Sequence, residues 1–115
     1  MLTVAEIYAE IESHPPLMRE GVQESYVGKE VEWLVTFSNG SVRQDKARLM
    51  CWVEGRPPKM VLGSVSLTTY PWLKTLPADT TVRVRGRIRE VESMAIDLDI
   101  LELRLPEPAL VSEER

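Results

Sequence analysis

One stretch constrains the fold more than any other: Thr80 to Leu105, TTVRVRGRIREVESMAIDLDILELRL. In its first arm Val82, Val84, Gly86 and Ile88 alternate with Arg83, Arg85, Arg87 and Arg89; in its second, Ile96, Leu98 and Ile100 alternate with Asp97 and Asp99. A period of two places successive side chains on opposite faces, which a strand does and a helix cannot. With Glu92-Ser93-Met94 as the polar break, the stretch predicts a β-hairpin, apolar on one face and charged on the other. Such a hairpin is stable only if further strands cover its apolar face.

The rest of the chain supplies them. Thr3-Val4-Ala5-Glu6 fits a capping box, and Val4, Ile7, Tyr8 and Ile11 recur at helical spacing until Pro15 and Pro16 end the helix. Pro16 can open a second short helix to about Ser25, with Leu17, Met18 and Val22 expected to face inward. From Tyr26 the period changes. Val31, Trp33, Val35 and Phe37 alternate with Glu30, Glu32, Leu34 and Thr36, a half-buried strand running up to Ser38-Asn39-Gly40. Asn-Gly is a hairpin signal, but a turn there would point Gln44 and Lys46 inward, so a longer loop or a bulge near Asp45-Lys46 is expected. A second strand, Ala47 to Glu54, sets Leu49, Cys51 and Val53 against Arg48, Met50, Trp52 and Glu54; a one-residue slip would send Trp52 inside. After a turn at Gly55-Arg56-Pro57-Pro58, a third strand sets Val61, Gly63, Val65 and Leu67 against Met60, Leu62, Ser64 and Ser66. Thr68 to Pro77, too proline-bound for a strand, suits one helical turn.

This order divides the chain into an N-terminal helical segment, 1–25, expected to pack on a barrel, 26–105, and an acidic C-terminal tail, 106–115, expected to be mobile. At 115 residues the chain is one domain's worth. No apolar run approaches the roughly 18 residues of a membrane span, so no membrane partner is expected. Acids near the N-terminus, where a secretory signal would be basic, point to a cytoplasmic protein. Cys51 is the lone cysteine and His14 the lone histidine, which excludes an internal disulfide and a Cys/His zinc site.

Tyr26-Val27-Gly28-Lys29-Glu30-Val31 and Val82-Arg83-Val84-Arg85-Gly86-Arg87-Ile88, followed by Ile96-Asp97-Leu98, resemble the "Y-x-G-K-x-V" and "V-x-V-x-G-x-I... I-x-L" of small bacterial domains of the tRNA-anticodon-binding type of OB-fold. The resemblance covers about Tyr26 to Leu105. It implies a mostly β protein, a five-stranded antiparallel Greek-key barrel behind one or two short helices. It also implies that the first strand pairs with the second and fourth, and the third with the fifth. Binding on such a fold is implied for the outer surface of strands 2 and 3 and the loops beside it.

Two surfaces compete as the binding site. Met50, Trp52, Met60 and Leu62, with Arg48 and Lys59 at the margin, form an aromatic and apolar patch with a basic rim, suited to a peptide anchor or to base stacking. The N-terminal helix or a second subunit would equally suit that patch as a cover, since exposed apolar clusters are rarely left bare. Arg43 and Lys46 are the cations of the polar segment from Ser38 to Lys46. The arginine row is the other candidate. Pairing across the Glu92-Ser93-Met94 turn would oppose Arg89 to Asp97 and Arg87 to Asp99, a register-holding ladder, and leave Arg83 and Arg85 facing Leu103 and Leu101 as the less compensated pair.

Tyr70, Trp72, Leu73 and Leu76 suit a plug for one barrel end. A net charge of −4 argues against a general nucleic-acid coat. The only histidine sits against Pro15, the only cysteine alternates into the expected core, the glycines are scattered, and no metal or cofactor is expected. The expectation is a non-catalytic module that binds a protein or peptide, self-association into a homo-oligomer included, with single-stranded nucleic acid as the alternative on the same face.

Overall fold

In a computed structural model of the chain, which describes residues 2–55 and 58–106, five strands close into a barrel. They are β1 Glu30–Arg43, β2 Lys46–Val53, β3 Lys59–Ser66, β4 Thr80–Val91 and β5 Ala95–Arg104, preceded by helices α1 Val4–Ser13 and α2 Arg19–Glu24. Around the barrel the order is β1-β2-β3-β5-β4, so β1 lies between β2 and β4 as expected. One pairing is parallel: β3 meets β5 only from Met60↔Ala95 to Gly63↔Leu98. Within the sequence expectations, the turn at Gly55–Pro58 includes undescribed residues, and the tail beyond 106 lies outside the described residues.

Alternation builds the core directly. Val31, Trp33 and Val35 of β1, Leu49 and Cys51 of β2, Val61 and Val65 of β3, Val82, Val84 and Ile88 of β4, and Ile96 and Leu98 of β5 are all buried in one cluster. Gly86 sits inside because the backbone of β5 passes so close that a Cβ would lie 2.7 Å from the Asp99 carbonyl oxygen. Gly63 makes room in the same way for the Ile100 side chain, which lies over it.

A barrel this narrow must be closed at both ends. The helix α1 closes one: its capping box is formed, with Thr3 N–H donating to Glu6 at 2.9 Å and Glu6 N–H to the Thr3 hydroxyl at 3.1 Å. Its Val4, Ile7, Tyr8 and Ile11 join the core. Tyr8 donates its hydroxyl proton to the Glu92 carbonyl at 2.7 Å, and Trp33 Nε1–H donates to the Leu2 carbonyl at 2.8 Å, tying the helix to the β4–β5 turn and to β1. At the other end the short 3-10 turn Pro71–Thr75 buries Leu73, with Tyr70, Trp72 and Leu76 packed against the core. The plug expected of these residues is there.

Three expectations are corrected. The β1–β2 turn is not at Asn39-Gly40: β1 runs through them to Arg43, a bulge at Ser38 adds a residue, and the turn is Gln44-Asp45, where Gln44 takes a positive φ of 56°. The bulge rather than a loop restores the pattern, since it returns Ala47 to the inside opposite Val42. Leu17 and Met18 do not face inward; Leu17 is 95% exposed, because Pro16–Met18 is a 3-10 turn and α2 begins only at Arg19. In the β4–β5 hairpin a bulge at Arg89 leaves Glu90, not Arg89, opposite Asp97, while Arg87 does oppose Asp99.

Ile7 is fully buried and Leu17 is not. Ile7→Ala is therefore expected to lower stability by about 2–5 kcal/mol in urea unfolding, with Leu17→Ala within about 0.5 kcal/mol of the parent.

Candidate functional site

The outward residues of β2 and β3 form a two-strand face read in cross-strand pairs: Trp52↔Met60, Met50↔Leu62, Arg48↔Ser64 and Lys46↔Ser66. Trp52 points outward, 40% exposed, because Cys51 is buried and the alternation admits one register. Since α1 closes the barrel end, it does not lie over this face, and Met50 is 37% exposed beside Trp52. The face therefore grades from apolar, at Trp52, Met60, Met50 and Leu62, to polar and cationic, at Ser64, Ser66, Lys46 and Arg43. Met94, exposed in the β4–β5 turn, adjoins it, its carbonyl accepting from Met60 N–H at 2.9 Å. The thioethers of Met50, Met60 and Met94 give the apolar end an adaptable surface.

The cations beside the apolar end are engaged within the chain. Arg48 reaches across to Asp97 on β5 with both terminal nitrogens, at 3.4 and 3.3 Å, and the Asp97 side chain is only 15% exposed. Lys59 lies 4.3 Å over the Tyr8 ring, with the Ser93 carbonyl at 3.4 Å. Arg43 and Lys46 face one another across the β1–β2 ladder and make no ion pair among the described residues.

The arginine row reverses its expected balance. A bulge at Leu101 shifts the end of β5 by one residue, so Arg85 opposes Glu102 and Arg83 opposes Arg104, and Leu103 turns into the core. Arg85 then bridges Glu30 at 3.1 Å and Glu102 at 3.3 Å, which raises the pKa of its guanidinium above the ordinary value. Glu32 receives Arg83 at 3.5 Å and Arg104 at 3.3 Å. Far from being the less compensated pair, Arg83 and Arg85 hold β4 to both its neighbours. Nothing in local alternation announces a bulge, and that is why the sequence misplaced them.

Cys51 lies in the core, where burial pushes its thiol up to about 12, well away from the thiolate a nucleophile needs. Among the described residues no three carboxylate, histidine or cysteine side chains gather as a metal site would require. A feature the sequence missed is a cleft of about 540 Å³ between the outer ends of β3 and β5, beside the β1–β2 turn. It depends on the parallel β3–β5 pairing stopping short, which no local pattern encodes. At its edge Asp45 accepts from the Ser66 hydroxyl and from Thr68, N–H at 3.0 Å and hydroxyl at 2.8 Å.

No protein-family model and no curated protein matches the sequence. Solved structures do match in shape. An OBody solved bound to hen egg-white lysozyme superposes with a TM-score of 0.60 at 10% identity, over 78% of this chain and 91% of the OBody. A putative aspartyl-tRNA synthetase from Leishmania major Friedlin gives 0.56 at 14% identity, and asparaginyl-tRNA synthetase from Pyrococcus horikoshii 0.54 at 16%, each over 76% of this chain. The chain spans about a fifth of those synthetases, 19% and 22% of their lengths. The barrel is an OB-fold, the fold that the opening motifs implied.

Hydrogen bonds from Ser66 and Thr68 hold the Asp45 carboxyl below its ordinary 3.8. A depressed folded pKa contributes stability above the unfolded value that is lost as pH falls through the folded one. The Asp45 carbon resonance should titrate below pH 3.8 in NMR, and Asp45→Asn should flatten the acid limb of the stability profile.

Proposed function

We infer that this chain is a non-catalytic binding module that works by contact with a protein or peptide, a second copy of itself included, through the outer β2–β3 face. One observation carries the reading: the face is open and apolar where Trp52, Met50, Met60 and Leu62 meet, while Arg48 and Lys59 beside them are engaged by Asp97 and Tyr8. Phosphate binding draws on uncompensated cations and the counterions they release. An aromatic anchor among flexible apolar groups draws instead on desolvation, and such residues dominate protein interfaces. The OBody complex is a precedent for a barrel of this shape holding a protein.

Single-stranded nucleic acid is the alternative occupant, stacked on Trp52 with Arg43 and Lys46 on its phosphates. Intrinsic tryptophan fluorescence separates the two. Titration with oligodeoxythymidylate at low salt is expected to leave the emission unchanged. A change that added salt suppresses and Trp52→Ala abolishes would assign the face to nucleic acid. On the protein side, a benzoylphenylalanine photocrosslinker at Met50 should form polypeptide adducts, dimers of the chain among them, that Leu62→Glu reduces at least about tenfold.

A further inference from the structure

The cleft beside the β1–β2 turn is bounded by two strand edges. β3 and β5 pair only as far as Gly63↔Leu98 and then part, so Ser64–Ser66 on one side and Leu101 on the other lose the neighbour that closes the barrel lower down. Leu101 is the extra residue of the β5 bulge and has no cross-strand partner on β4. Tyr70 closes the far end: its N–H donates to the Ser66 carbonyl at 3.1 Å, and its hydroxyl accepts from Leu103 N–H at 3.2 Å. Between the β3–β5 seam and Tyr70 stretches a short gap with an incomplete ladder on both walls. Open edges of this kind are templates for a further strand.

Its lip is positive on an acidic protein. Arg43 and Lys46 stand at the mouth, and Lys74 lies close enough to favour the Asp45 carboxylate. None of the three makes an ion pair among the described residues, and Asp45, the acid between them, is turned onto Ser66 and Thr68. Among the residues lining the cleft Tyr70 is the one aromatic, half-buried and T-shaped to Trp72 with centroids 6.1 Å apart, where stacking of successive bases would need a row of rings.

The geometry points to this cleft as a second site, distinct from the β2–β3 face, that takes an extended acidic peptide by strand addition between the edges of β3 and β5. Backbone groups of the peptide pair with Ser64–Ser66 and Leu101, alternate apolar side chains enter over Ile100 and Tyr70, and the intervening carboxylates meet Arg43 and Lys46. The volume, about 540 Å³, is within the range of roughly 300–1,000 Å³ that accommodates a short ligand.

The test uses the whole chain, ¹⁵N-labelled, and the blocked heptapeptide Glu-Val-Glu-Val-Glu-Val-Glu. Amide shifts and slowed hydrogen exchange are expected at Ser64–Ser66 and Leu101, with at least a tenfold loss of affinity in Arg43→Glu/Lys46→Glu. Arg87→Glu/Arg89→Glu, an equal charge change on another part of the barrel, should bind as the parent does, and the peptide with lysine in place of glutamate should not bind. No shift at millimolar peptide would overturn the proposal, as would shifts confined to Met50, Trp52 and Leu62. So would oligodeoxythymidylate moving the same Ser64–Ser66 and Leu101 amides more strongly than the peptide does.

Discussion

Closure of the barrel rests on β4, which is paired along one edge to β1, from Glu30↔Arg87 to Phe37↔Thr80, and along the other to β5. Its inward Val82, Val84 and Ile88 are each almost wholly buried, and its outward Arg83 and Arg85 bridge Glu30, Glu32 and Glu102 on the two neighbours. Burial of the inner row supplies the driving force, and the ion pairs bias the register. A slip of one residue would turn valines outward and arginines inward, so both effects select the same alignment. Closing the sheet in this way creates two open ends, and the α1 helix and the Pro71–Thr75 turn exist in the fold to fill them.

That division of labour shapes the surface. On β4, Arg83 and Arg85 are turned to the glutamates of the neighbouring strands, as Arg48 is to Asp97 and Lys59 to Tyr8. Outward, β2–β3 presents apolar side chains, and among the described residues Arg43 and Lys46 at the β1–β2 turn make no ion pair, nor do the exposed Arg87 and Arg89 of β4. A chain with a net charge of −4 thus has a small basic corner beside an apolar face, the combination on which the proposal of a polypeptide partner rests.

The sequence revealed most of the fold, because alternation is a local signal: the inner rows of β1 to β4 and of β5 as far as Leu98, the capping box at Thr3 and the turn at Glu92-Ser93-Met94 could be read residue by residue. The β2–β3 face was equally legible, since fixing Cys51 inside fixes Trp52 outside. What escaped were the bulges at Ser38, Arg89 and Leu101, each a single added residue that changes everything beyond it. The Leu101 bulge alone moved Arg85 from a leucine to a glutamate and sent Leu103 into the core. The β3–β5 cleft was invisible for a related reason: where two parallel strands part depends on the barrel's curvature, not on either strand's composition.

The most direct measurement is a double-mutant cycle between Arg85 and Glu102 in urea, run at low and high salt. If the arginine row braces the barrel, Arg85→Gln lowers the unfolding midpoint, Glu102→Gln does the same, and the two changes are less than additive, with a coupling that shrinks as salt is added. An unchanged midpoint in Arg85→Gln, or full additivity of the two, would contradict it and return the arginine row to the list of binding surfaces.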